Sequence, residues 1–274
     1  MTAWRLSLKQ GPALRVDLRG VVPAVLASLP VGEVERLRLG YGKGSLALGE
    51  LFSVAASTGG EGDELVLQGD LSRFDRIGWQ MASGRLLVDG PAGDYAGACM
   101  SGGEIIVKGA AGALAACEMS GGSLIVEGNV GDFAAGTLPG SMDGMRGGRF
   151  VVKGSAGARF GDRMRRGSAL VFGDAGDFLA SRMVAGTIAI GGTAGAHVGY
   201  GMRRGTVVFA GAAPQISPTF VPALVDPAVF WQLLARDLAR TGGPFEGLAR
   251  RTIVRHLGDL SADGKGELIV AAAA

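Results

Sequence analysis

Seven of the nine methionines fall on one grid. Met81, Met100 and Met119 are 19 residues apart, and so are Met145, Met164, Met183 and Met202. The step from Met119 to Met145 is 26, which is 19 plus a seven-residue insertion. A glycine follows each methionine by three, from Gly84 to Gly205. A second glycine column runs Gly90, Gly109, Gly128, Gly154, Gly173, Gly192 and Gly211, and a third begins three residues further on at Gly93. Columns that keep phase through an insertion mark a tandem repeat, and a repeat of this length restricts the chain to stacked units.

Each unit carries one short run rich in β-branched residues before its second glycine: RLLVD, EIIVK, SLIVE, RFVVK, ALVF, TIAIG and TVVFA. These predict strands of four or five residues. One strand per unit with no helical period between them excludes leucine-rich and βαβ repeats. The expectation is a mainly β chain: a right-handed parallel β-helix of about seven 19-residue coils, with small N-terminal and C-terminal capping segments. Gly90, Gly109, Gly128, Gly154, Gly173 and Gly192 are expected as structural turns, where the chain adopts positive φ or passes close to the coil beside it.

Alternation assigns the faces. The columns led by Leu86 and Val88 point inward, and the methionines are expected to fill an inner corner as soft packing residues. The column Leu87, Ile106, Ile125, Val151, Leu170, Ala189 and Val208 points outward, yet it is apolar throughout. Such a stripe calls for a cover, either the chain's own C-terminal segment or a partner protein.

Outside the repeats the expectations are coarser. Residues 1–58 form an N-terminal cap, 59–212 the β-helix, and 213–274 a linker, helix and tail. Short strands are expected at Leu6–Leu8 and Val16–Leu18, and a helix from Val31 to Leu39. The stretch from Leu37 to Val54 reads as an early, imperfect coil. Gly40, Gly42 and Gly44 lack a Walker spacing and read as a plain turn. Asp226 and Pro227 are set to start a helix whose apolar face is Phe230, Leu233, Leu234 and Leu238. A second short helix is expected from Phe245 to His256, then a turn and a final strand.

Composition removes several function classes. Two cysteines in 274 residues form no disulfide framework, and no C-x-x-C pair is present. Mean hydropathy is +0.30, but the long uncharged stretches are broken by glycine or proline, so neither is a membrane-spanning helix. No signal peptide is visible, and a cytoplasmic setting is expected. A net charge of +2 gives no reason to expect nucleic acid.

Catalytic chemistry is sparse. His197 and His256 are far apart in sequence, and no metal-ligand spacing or nucleophile motif appears. Cys99 and Cys117 read as small core residues. One polar constellation stands out: the span from Arg146 to Arg204 holds ten basic residues and three acids, whereas Arg85 to Asp132 holds two basic residues and six acids. Arg146, Arg165 and Arg203 each follow a methionine, and Arg166 and Arg204 come next. Stacking would align them as a guanidinium ladder, with Arg163 and Arg182 nearby. Such a ladder suits an acidic chain or an acidic partner surface; the plainer reading is a solvated corner with scattered ion pairs.

The repeated SGG-x-I-x-V-x-G-x-A-G units resemble the C-terminal domain of glutamate synthase. The early LRLGYGKGSLALGELFSV and the late TFVPALV and RHLGDLSADGKGEL bring the chain closer to one family, the C subunits of formylmethanofuran dehydrogenases and formyltransferase/hydrolase complexes. The resemblance spans nearly the whole chain. It implies a non-catalytic scaffold beside three other proteins: an amidohydrolase-like A subunit, a B subunit and a formyltransferase D subunit. The implied reaction of the complex moves a formyl group from formyl-tetrahydromethanopterin to methanofuran or methylofuran and releases formate, in one-carbon metabolism. No cofactor is then expected on this chain, and metals, zinc in the hydrolase, belong to a partner. The polyglutamate tail of the carrier is a candidate ligand for the arginines. An Ala-, Arg- and Gly-rich composition favours the bacterial hydrolase; the tungsten or molybdenum dehydrogenase and a stand-alone module for an acidic polymer remain as alternatives.

Overall fold

The computed structural model describes residues 2–58, 63–224 and 228–272. The protein is mainly β and is organised around one large sheet of thirteen strands among the described residues. Its centre is a run of parallel strands in chain order: Arg85–Asp89, Glu104–Val107, Ser123–Val126, Arg146–Val152, Arg166–Val171, Thr187–Ile190 and Thr206–Phe209. Each falls on one of the seven runs read from the sequence, and the fourth and fifth start three residues earlier than the runs do. Register follows the repeat, so Leu86, Ile105, Leu124, Phe150, Ala169, Ile188 and Val207 stand side by side. All seven are fully buried. An eighth parallel strand, Glu64–Gln68, precedes them. The methionine grid does not reach it, because its step to the next strand is 21 rather than 19.

A second parallel ladder runs alongside the first. Leu71, Ala92, Ala111, Val130, Ala156, Ala175 and Ala194 each bridge to the next as single residues. The units this ladder links are thus paired both through a strand and through one bridging residue.

The repeated methionines and glycines are two halves of one contact. All seven methionines are at most 1% exposed. A Cβ added to Gly122 would lie 2.6 Å from Cε of Met100, and one added to Gly103 would lie 2.7 Å from Cε of Met81. Each thioether thus occupies the space that the next unit's glycine leaves open. Gly122 also has φ +80, which an L side chain resists. The second glycine column works differently: a Cβ on Gly109 would lie 2.6 Å from the backbone nitrogen of Pro91, so close approach to the preceding unit, rather than positive φ, excludes a side chain there.

Side-chain caps sew the units together at positions outside the glycine and methionine columns. Asp75 Oδ1 accepts from Asp94 N–H at 2.9 Å, and Asp94 Oδ1 accepts from Ala113 N–H at 2.9 Å. Asp132 and Asp177 do the same for Ala158 and Ala196, each at 2.8 Å. These carboxylates satisfy backbone donors that an irregular corner would otherwise leave without partners.

The N-terminal region departs from the expected early coil. Arg38–Tyr41 and Gly44–Ala47 form an antiparallel hairpin, followed by the helical turn Leu48–Leu51. Gly42, at φ +57, supplies the tight turn, so two short strands fold back locally instead of stacking on a repeat. The helix expected to reach Leu39 is Val31–Arg36, because Arg38 onward is claimed by the hairpin. Thr2–Leu8 lies between Glu64–Gln68, which it pairs in parallel, and Phe52–Thr58, which is antiparallel to it.

The C-terminal segment folds back over the sheet. Helix Ala228–Ala239 buries Trp231, Ala235 and Leu238. Of the expected face, Leu238 is buried and Leu234 packs partly against the sheet, but Phe230 is 43% and Leu233 64% exposed, so the face turns toward Trp231. Trp231 offers the larger apolar area, and the spacing of four and three that it starts faces the sheet. The Asp226–Pro227 start lies outside the described residues. No helix spans Phe245 to His256: Gly243–Phe245 and Leu248–Arg250 are single 3-10 turns, and Ile253–Gly258 is a strand. Gly247 in the left-handed region separates the two turns, and the β-branched Ile253 and Val254 open the strand. That strand pairs with Gly266–Ala271, which itself adds in parallel to Thr206–Phe209.

The outer apolar column is consequently split. Leu170, Ala189 and Val208 are fully buried under Trp231, Leu238, Phe245 and Leu248. Leu87, Ile106 and Ile125 remain half-buried.

Candidate anion-binding groove

The two residues after each methionine of the later units lie where the chain enters the next strand. They form a continuous corner, because Arg146 pairs with Arg166 in the sheet and Arg203 N–H donates to Met183 O at 2.8 Å. Along this corner runs an open groove of about 860 Å³ lined by Arg146, Arg165, Arg166, Val184, Ala185, Arg203, Arg204, Ala262, Asp263 and Lys265. The five arginines are those of the expected ladder, Val184 and Ala185 hold the same two positions after Met183, and the last three come from the C-terminal turn.

The groove is cationic and only partly neutralised. Arg146 Nη2 lies 3.4 Å from Glu118 Oε2, and Arg165 Nε lies 2.5 Å from Asp143 Oδ1. Asp143 ends the inserted segment, so the insertion reaches into the site. Arg166, Arg203, Arg204 and Lys265 are exposed and make no ion pair among the described residues. Exposed cations that line one groove repel one another, which favours an anionic occupant.

Arg163 and Arg182 do not join the groove. They stand before their methionines in the left-handed region, at φ 57 and 54, and turn toward Asp162. Arg182 Nη2 donates to both carboxylate oxygens of Asp162, at 2.9 and 3.0 Å. Ser181 hydroxyl donates to Asp162 Oδ1 as well. Arg163 Nε lies 3.8 Å from the same carboxylate, and its Nη1 lies 2.8 Å from Met142 Sδ. Asp162 is only 2% exposed, and a carboxylate that buried requires charged and hydrogen-bonding partners. These two arginines serve the interior. Lys265 and Asp263 escape a reading by repeat, because they lie about 60 residues beyond the ladder and outside its period.

Among the described residues, the other polar side chains form no second centre. His197 is exposed and stacks on Phe178 at 4.7 Å, far from a role as a buried base. Cys117 is a buried core residue, and desolvation pushes its thiol well above the ordinary range. Cys99 differs from the core expectation in being half-buried at a left-handed corner. No three His, Cys, Asp or Glu side chains gather as a metal site among the described residues, and no helix there is long and apolar enough to cross a membrane.

Comparison with known proteins gives this geometry a family. No family model matches the chain. Among curated proteins, the chain is 41% identical over 79 residues to the C subunit of the formyltransferase/hydrolase complex Fhc of Methylorubrum extorquens. It is 32% identical over 95 residues to the C subunit of the tungsten-containing formylmethanofuran dehydrogenase 2 of Methanothermobacter marburgensis. These alignments span 29% and 35% of the two relatives' lengths, about a third of each. Among solved structures, a chain of the crystal structure of the Methylorubrum extorquens formyltransferase/hydrolase complex FhcABCD, determined with methylofuran, superposes with a TM-score of 0.90. That match is 39% identical and covers 98% of this chain and 99% of the other. A likeness of sequence and backbone that extends end to end leaves one conclusion: the chain belongs to the family of C subunits of formyltransferase/hydrolase complexes and formylmethanofuran dehydrogenases.

Proposed function

We propose that this chain is the scaffold of a formyltransferase/hydrolase complex. In this reading it carries no catalytic group and assembles with an amidohydrolase-like A subunit, a B subunit and a formyltransferase D subunit in the cytoplasm. The complex transfers a formyl group from formyl-tetrahydromethanopterin to a methylofuran-type carrier and then releases formate. The observation that carries this reading is the full-length match to a chain of a complex solved with methylofuran. The higher identity to the bacterial hydrolase protein, 41% against 32%, favours the hydrolase over the tungsten enzyme.

The two parallel ladders are read as two faces of a right-handed parallel β-helix of about seven coils, with 1–58 and 213–274 as its caps. The exposed arginine groove is read as a cradle for the carboxylates of the carrier's polyglutamate tail. Arg146, Arg165, Arg166, Arg203 and Arg204 with Lys265 would make charge-assisted hydrogen bonds to it, while Arg163 and Arg182 stay with Asp162. The half-buried stripe of Leu87, Ile106 and Ile125 is read as a contact with a partner protein.

The test is the composition of the native complex captured through a tag on this chain. Stoichiometric zinc without tungsten or molybdenum, together with the A, B and D subunits, is expected. Stoichiometric tungsten or molybdenum would move the chain to a dehydrogenase, and its isolation alone would leave it a free-standing binding module.

A further inference from the structure

The C-terminal turn that closes the arginine groove is held by one buried carboxylate. Asp259 is 3% exposed. Its Oδ2 accepts from Gly201 N–H at 3.0 Å, and its Oδ1 accepts from Ser261 N–H at 2.9 Å and from Ser261 hydroxyl at 2.6 Å. The backbone continues the attachment. Asp259 N–H donates to Met202 O at 3.2 Å, Gly264 N–H to Asp259 O at 2.8 Å, and Lys265 N–H to Arg203 O at 2.7 Å. A side chain at Gly264 would collide with Met202 O, so the turn sits flush against the last methionine corner. That contact places Asp263 and Lys265 on the groove wall with Arg203 and Arg204.

We propose that Asp259 is a positioning residue of the groove: it fixes the 259–265 turn so that Lys265 completes the cationic lining and Asp263 sets its selectivity. The inference rests on the groove's being an anion site. Asp263 is the one acid among the lining residues, and it is exposed at φ +51. An anionic chain passing it is repelled, so Asp263 weakens binding near the turn and leaves the strongest attraction at Arg166, Arg203 and Arg204. The ligand class is a polycarboxylate, since forked guanidinium groups match carboxylates, and a set of separated cations matches many charges rather than one.

The test measures binding of poly-L-glutamate to the full chain. Asp259→Asn keeps the shape but weakens acceptance from three donors; about a tenfold loss of affinity is expected, the equivalent of one such hydrogen-bond set. Asp263→Asn removes one repulsive charge at a position where asparagine tolerates the backbone; about a twofold to threefold gain is expected. If Asp259 acts through Lys265, its substitution costs little in a Lys265→Gln background, which a general loss of stability would not produce. Ser261→Ala, which removes one donor, gives the same pattern at smaller amplitude and serves if Asp259→Asn fails to fold. Equal losses in both backgrounds, or no loss at all, would overturn the assignment. Failure of the groove reading itself looks different: wild type would not bind poly-L-glutamate, or Arg166→Ala and Arg204→Ala would leave binding unchanged.

Discussion

The repeats before the seven-residue insertion and those after it share one backbone and carry different chemistry. After their methionines the early repeats have Ala82 and Ser83, Ser101 and Gly102, Ser120 and Gly121; the later ones bring five arginines to the same corner. On the sheet's outer face, Leu87, Ile106 and Ile125 of the early repeats stay half-buried, whereas Leu170, Ala189 and Val208 of the later ones lie under the C-terminal segment. The difference teaches that the repeat specifies only its own stacking. Glycine, methionine and inward apolar positions are held in phase throughout, so the corner and outer columns are free to vary. The groove and its closing turn therefore sit together on the later half.

The largest expected contrast sets the two halves of the outer column against each other. Leu170→Asp buries a charge beneath Trp231 and Leu238, and should cost more than about 4 kcal/mol in urea unfolding. Ile106→Asp, on a half-buried site, should change the isolated chain's stability by no more than about 1 kcal/mol. Equal losses would erase the distinction between a covered and an open half.

The next effect tests what the two halves share. Gly122→Ala forces a side chain onto φ +80 and against Met100 Cε, at an expected cost of about 1–3 kcal/mol. Combined with Met100→Ala, the cost should fall short of the sum of the two, because the clash with the methionine methyl is gone while the approach to Gly103 O at 2.7 Å and the positive φ remain. Strict additivity would mean that methionine and glycine do not interlock.

Legibility followed the same division. The methionine and glycine columns, the strand runs and the inward ladders were readable because a repeated constraint shows itself seven times over. The ladder positions of Arg146, Arg165, Arg166, Arg203 and Arg204 were readable for that reason. The pull of Asp162 on Arg163 and Arg182 was not, since a buried ion pair is specified by side-chain direction rather than by spacing. Nor was the hairpin at Gly42, where one left-handed residue decides between folding back and stacking on. Lys265 and Asp263 reach the groove only through tertiary contacts of the C-terminal turn, for which the sequence offers no period.

A smaller, pH-dependent effect is expected at the buried Asp259 of the later half. Burial raises the Asp259 carboxyl, but the donors from Ser261 and Gly201 outweigh it and hold the group below the ordinary carboxylate range. A carboxyl depressed by folding contributes stability above the unfolded carboxylate value, and that contribution is lost as pH falls through the folded one. Protection of the Gly201 and Ser261 amides, with the intrinsic pH dependence of exchange divided out, should therefore fall below about pH 4, before that of the early repeats. Uniform loosening would contradict this order. The smallest effect is expected at the exposed Arg85–Glu104 pair of the early half, where Arg85→Ala should change stability by under about 0.5 kcal/mol in thermal unfolding.

The most direct measurement is the carrier content of the purified complex in which Arg166, Arg203 and Arg204 are changed to alanine. A scaffold whose later half holds the carrier's anionic tail predicts that the partner proteins still co-purify while bound carrier is lost. Full retention of carrier by an intact complex would contradict it.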